Sequence, residues 1–141
     1  MRILLAALIL ITVTAAPHTP AHAAEPITGR WVTEDGEAVV TLAPCGSALC
    51  GTITRYLKTP PDGVDQRDIH NPNKALRGRK ILGSPILTGF VVDGNVWRGR
   101  IYDPRRGKTY RSVLRRKDAR TLEIKGCYGP ICQTHHWRAA R

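Results

Sequence analysis

From Gly29 onward, apolar and polar residues alternate in runs of four to nine, the period expected of β-strands that bury one face. The clearest run extends from Trp97 to Arg115 and folds back at Pro104-Arg105-Arg106-Gly107, where Pro presets φ early in the turn and Gly takes the late, left-handed position. Setting Asp103 opposite Lys108 places Ile101 opposite Tyr110, Gly99 opposite Ser112 and Trp97 opposite Leu114. One face is then core. The other carries Arg98, Arg100, Tyr102, Thr109, Arg111, Val113 and Arg115.

The same reasoning extends along the chain. Gly29 to Glu34 and Glu37 to Ala43 form a hairpin about Asp35-Gly36, with Trp31 opposite Val40. Pairing Cys45 with Cys50 sets Leu42 opposite Ile53 and Val40 opposite Arg55. Arg55 then points inward, which requires either an acidic partner or a bulge in the strand. Between Lys58 and Gly78 the alternation stops, and Pro60-Pro61, Asp62-Gly63 and Asn71-Pro72 read as a long loop. Within it Asn71 caps a short helix running from Pro72 to Leu76. As a long ordered connection it is a lid over a barrel mouth or a plug in its end.

Pro85 to Val92 turns at Asp93-Gly94 into Asn95 to Asp103, with Phe90 opposite Trp97, Thr88 opposite Gly99 and Ile86 opposite Ile101. Lys108 to Arg115 turns through Lys117-Asp118-Ala119 into Arg120 to Cys127. Pairing Cys127 with Cys132 then sets Leu122 opposite Trp137, Ile124 opposite His135 and Gly126 opposite Gln133. About eight strands on short turns, apolar on one face, predict an all-β protein, a single antiparallel up-and-down β-barrel with one long loop carrying a short helix.

The run Gly-Arg-Ile-Tyr-Asp-Pro-Arg-Arg-Gly-Lys-Thr-Tyr (99–110) resembles the signature hairpin of the bacterial family called domain of unknown function 2147. Cys45-Gly46-Ser47-Ala48-Leu49-Cys50-Gly51, Asn71-Pro72, Gly29-Arg30-Trp31 and Trp137-Arg138 stand in the order of that family. The resemblance covers nearly all of the chain after its leader and implies a small exported β-barrel, with no agreed activity attached. Gly29-Arg30-Trp31 is also similar to the first strand of lipocalin barrels. That likeness implies a Trp31 that plugs one end beneath an Arg of the last strand, here Arg138 or Arg141.

Composition adds location. Arg2, the apolar run Ile3 to Val13, itself too short to span a bilayer, and the small-residue site Ala21-His22-Ala23 form a signal peptide over residues 1–23, followed by one domain over 24–141. An exported chain with four cysteines favours disulfides. Of the three possible pairings, Cys45 with Cys50 and Cys127 with Cys132 need the least chain travel. The expected location is the periplasm or outside the cell.

The formal net charge is +11, and Arg98 to Arg120 holds ten basic residues against Asp103 and Asp118. The usual meaning is a solvated surface; the functional one is an anion-binding face made by Arg98, Arg100, Arg105, Arg106, Arg111 and Arg115. No recognition motif points to nucleic acid.

Nucleophile elbow, Walker loop and His-Glu-x-x-His are absent, so no catalytic residue and no cofactor is assigned. Cys127, Cys132 and His136 share a face that would suit zinc only if the thiols stayed reduced. Asp62, Asp65 and Asp68 lack the spacing of a calcium loop. The inward polar residues Arg55, Tyr110, Ser112, Gln133 and His135, with Trp97 beside them, are candidates for holding the polar head of a small amphipathic ligand. Alternatively they satisfy one another inside a filled core. The expected function is non-enzymatic ligand binding by an exported barrel. The alternative is docking on anionic envelope material through the basic hairpin.

Overall fold

Strand follows strand around a closed barrel in the computed structural model, which describes residues 23–141. The strands are β1 (Gly29–Val32), β2 (Ala38–Cys45), β3 (Ala48–Tyr56), β4 (Pro85–Asp93), β5 (Val96–Asp103), β6 (Lys108–Asp118), β7 (Thr121–Tyr128) and β8 (Ile131–Ala139). All but Ala23 of the expected signal peptide lies outside the described residues. Because neighbours are antiparallel, the connections 33–37, 57–84, 104–107 and 129–130 gather at one rim, the upper one. The lower rim has three two-residue turns and the segment that precedes β1.

Alternation sends Trp31, Val40, Leu42, Leu87, Phe90, Leu114, Leu122, Ile124 and Trp137 into one buried cluster. Removing each such side chain from water contributes about 1.5–3 kcal/mol. At the lower end Ile27 joins this core, the Trp31 Nε1–H donates to the Ile27 carbonyl at 3.0 Å, and the Trp97 Nε1–H donates to the Glu25 carbonyl at 3.0 Å. Arg116 covers the Trp31 ring, its Cζ 5.1 Å from the centroid. The stacking Arg therefore comes from β6, not from Arg138 or Arg141. Arg116 lies in the inward series of Ser112 and Leu114, whereas Arg138 follows inward Trp137 and so points out.

The registers of β5–β6 and β7–β8 are the expected ones, as is Trp31 opposite Val40. Two others differ. Gly46, at φ 67°, and Ser47 make a two-residue turn that sets Cys45 opposite Ala48, so the Cys45–Cys50 disulfide runs diagonally across the hairpin neck. Val40 then faces Ile53, and the ladder slips between Val39 and Val40, where the Thr54 hydroxyl donates to the Val39 carbonyl. That bulge turns Arg55 outward to solvent opposite Val39, so Arg55 does not enter the barrel. Between β4 and β5 the turn is Gly94-Asn95 rather than Asp93-Gly94, so Asp93 faces Val96 and Val92, not Phe90, faces Trp97; a second irregularity at Gly89, φ 65°, then sets Leu87 opposite Ile101, while Phe90 still turns inward.

The long connection inserts Ile81 into the core and is clamped by Asp68, only 1% exposed. The Asp68 carboxylate accepts from the Tyr102 hydroxyl at 2.6 Å, the Asn71 amide at 2.7 Å and the Arg79 guanidinium at 2.8 and 3.0 Å. Asn71 is thus committed to Asp68. The helix is only a 3₁₀ turn, Lys74–Leu76, capped by Asn73, whose side chain accepts from the Ala75 N–H at 3.1 Å.

Candidate functional site

The clearest polar constellation lies on the core face of β5 to β8, toward the upper rim. Gly99, Ser112, Gly126 and Gln133 stand side by side across the four strands. One row below run Trp97, Leu114, Ile124 and His135; one row above, Ile101 faces Tyr110 and Tyr128 faces Ile131. Tyr110 and Ser112 of β6 therefore share one face with Gln133 and His135 of β8, with β7 between them, at one corner of the wall. Trp97 belongs to the same wall, at its far side, with its indole N–H already bound to Glu25. Arg55 is elsewhere, in solvent.

What opens this corner is the shortness of β1. It pairs with β8 only through Trp31 with Ala139 and Val32 with Arg138, so the upper half of β8 has no strand on its outer edge. Gln133 and His135 consequently face the barrel interior yet remain exposed. Glu34 spans the gap. Its carboxylate lies 2.6 Å from His135 Nδ1 and accepts the His136 backbone N–H at 3.0 Å. The His135 hydrogen bond, followed by that backbone amide, holds the Glu34 carboxyl below its ordinary range.

The floor of the corner is made of small residues. Ser112 is 3% exposed, and its buried Oγ has no hydrogen-bond partner among the described residues. Leaving a buried hydroxyl unpaired costs about 1–3 kcal/mol. The glycines flanking Ser112 differ. A Cβ on Gly99 would strike the Phe90 ring and the Thr88 carbonyl at 2.7 Å, so that side is packed. A Cβ on Gly126 would meet only Ile101 Cγ2, at 3.6 Å, which leaves room on the β7 side. A glycine in a strand interior is a legible sign of close approach or space, but alternation by itself points to neither Gly126 nor Glu34.

The outer face of the β5–β6 hairpin is less uniformly free than its composition suggests. Arg98 pairs with Asp93, Arg105 with Glu37, Arg106 with Asp103 at 3.9 Å, and Arg115 with Glu123 at 3.1 Å. Arg100 and Arg111 stand directly opposite one another, with no carboxylate partner among the described residues. Arg111 donates to the Gly129 carbonyl at 3.0 Å. A shallow concavity of about 290 Å³ lies here, lined by Arg98, Gly99, Arg111, Ser112, Val113 and Cys127.

The groupings that would suit a metal do not assemble. Cys127 and Cys132 form a disulfide with Cα atoms 4.0 Å apart, Asp65 pairs with Lys80 and Asp68 with Arg79. Among the described residues no group of three His, Cys, Asp or Glu side chains is placed to hold a metal ion.

No curated protein matches this chain. Among solved structures it is similar to protein HP1028 from the human pathogen Helicobacter pylori, described as belonging to the lipocalin family, with 21% identity and a TM-score of 0.70 over 82% of this chain and 84% of that one. At that identity the likeness concerns the fold, an eight-stranded lipocalin-like barrel. The family model described as "Uncharacterized protein conserved in bacteria (DUF2147)" matches residues 29–139, almost the whole barrel, and the chain belongs to that family.

Proposed function

We propose that this is an exported, non-enzymatic barrel that binds a small amphipathic molecule at the open corner between β6 and β8. The observation that carries the reading is the Ser112 hydroxyl, buried and unpaired on the core face beside the unfilled space at Gly126. A ligand oxygen or N–H reaching it would satisfy it once the side chains that now close the Oγ to solvent move aside, with Tyr110, Gln133 and His135 as further polar contacts and Ile101 as apolar wall. Two disulfides favour an oxidising compartment, the periplasm or the exterior. Among the described residues no helix is long and apolar enough to cross a membrane.

The test is native mass spectrometry of protein purified from its own envelope, beside Gly126→Val. A bound small molecule in the wild type that is lost in a folded Gly126→Val supports the reading. Wild-type protein free of ligand, and unaffected in melting by an envelope lipid extract, would overturn it. A second reading, docking on anionic envelope material, is favoured by the opposed Arg100 and Arg111. It predicts salt-sensitive adsorption that Gly126→Val leaves intact.

A further inference from the structure

We propose that the tip of the β7–β8 hairpin inserts into the surface of an anionic lipid bilayer, so that the upper rim of the barrel faces the membrane. Arg111 is shared with the docking reading and Tyr110 with the ligand site, but the apolar pair that carries this inference belongs to neither. Tyr128 and Ile131 are cross-strand partners on one side of this tip, 70% and 72% exposed, and Gly129-Pro130 turns the chain between them. They stand in the core-facing series at the open upper rim, and apolar side chains this exposed beside one another gain free energy when a contact removes them from water.

The chemistry around the pair indicates lipid as the partner. Tyrosine has an apolar ring and a polar hydroxyl, the combination that settles at the level of lipid headgroups. The Lys108 ammonium lies 5.9 Å from the Tyr128 ring centroid, Arg111 donates to the Gly129 carbonyl, and Lys125 lies further along β7. Cations therefore collar the apolar tip, while from Ile124 to Arg141 the chain has no acidic residue. A bilayer with anionic headgroups complements both parts at once, and each nearby Lys or Arg adds attraction.

Two further features fit this role. The Cys127–Cys132 disulfide closes the neck of the hairpin, and the Tyr110 ring meets Tyr128 edge-on with centroids 6.2 Å apart, so the tip is held rigid before contact. Exposed apolar residues are also polarised along the barrel. Among the eight large ones in the described residues, Leu57, Val64, Ile69 and Leu76 of the long connection share the upper end with Tyr128 and Ile131; only Val91 and Val92 lie toward the lower one.

The experiment is co-sedimentation with unilamellar vesicles of phosphatidylcholine, with and without phosphatidylglycerol. Wild-type protein should bind the phosphatidylglycerol vesicles and release as salt rises. Tyr128→Ser/Ile131→Ser should weaken that partition by about tenfold or more, the expected effect of losing two inserted apolar groups, with melting unchanged. As an independent readout, the indole fluorescence introduced by Tyr128→Trp should be quenched by brominated lipid in the bilayer. Failure of the wild type to bind at low salt, equal binding by the double serine variant, or an introduced indole blind to brominated lipid would each overturn the proposal. So would a dimer abolished by the double serine variant while vesicle binding persists, since the pair would then be covered by a second copy.

Discussion

Ser112 and its two glycine neighbours show how differently one residue type behaves along a single row of the barrel wall. Gly99→Ala forces a methyl against the Phe90 ring and the Thr88 carbonyl, both fixed in the core, and should cost about 1–3 kcal/mol. Gly126→Ala meets only ordinary contact and should change stability by less than about 0.5 kcal/mol. Urea unfolding of the two variants distinguishes them. Asp68 and Tyr102 make a second residue-scale case. Burial, then the hydrogen bond to Asp68, pushes the Tyr102 hydroxyl up to about 12, while Asp68 sits below its ordinary 3.8 because the hydrogen bonds from Tyr102, Asn71 and Arg79 outweigh its burial. The depressed carboxyl contributes stability at pH values above 3.8 that is lost as pH falls through its folded value. The raised phenol contributes stability that is complete below its unfolded value of 10.0 and lost as pH rises toward about 12. Thermal melting should therefore decline on both sides of a broad plateau, and Tyr102→Phe should flatten the alkaline decline.

At the scale of elements, the β5–β6 hairpin was fully legible because its turn chemistry and its period of two agree, and nothing interrupts either strand. The β7–β8 register rested on the same agreement, anchored by Cys127 and Cys132. Alternation through these two registers puts Tyr110, Ser112, Gln133 and His135 on one face. The β2–β3 and β4–β5 registers were not legible, because their two-residue turns fall at Gly46-Ser47 and Gly94-Asn95 rather than where the cysteine pairing and Asp93-Gly94 would set them, and single-residue irregularities near Thr54 and Gly89 then rotate the residues beyond. Arg55 is the residue that changed side. Nor does alternation along β1 reveal that its partner extends past it, so the exposure of Gln133 and His135 and the bridging role of Glu34 belong to the assembled barrel alone. On the outer face, the Arg100–Arg111 pair sets like charges directly opposite, an arrangement that opposes folding. Replacing both with Gln should leave the melting temperature equal or slightly higher and weaken adsorption to anionic polysaccharide.

For the whole molecule, the barrel is plugged from below by the segment that carries Glu25 and Ile27 and from above by Ile81, leaving its open corner to one side. That arrangement places the candidate ligand site, the basic face and the apolar hairpin tip on the same half of the wall, β5 to β8. The two ends of the described chain meet at the seam, where Trp31 pairs with Ala139, Val32 with Arg138, and the Arg30 carbonyl accepts the Ala140 N–H at 2.9 Å. Only there do the first and last strands touch. Every other strand pair joins sequence neighbours, and both disulfides are local, so the seam alone bears the loop-closure entropy of nearly the entire chain. It should form last. Substitutions at Ala139 should then accelerate unfolding while leaving the refolding rate nearly unchanged, and stopped-flow kinetics measures both. A barrel that closes late spends part of its folding time as a curved open sheet with two free edges. This makes the seam, more than the core, the place where two growing molecules are at risk of exchanging strands.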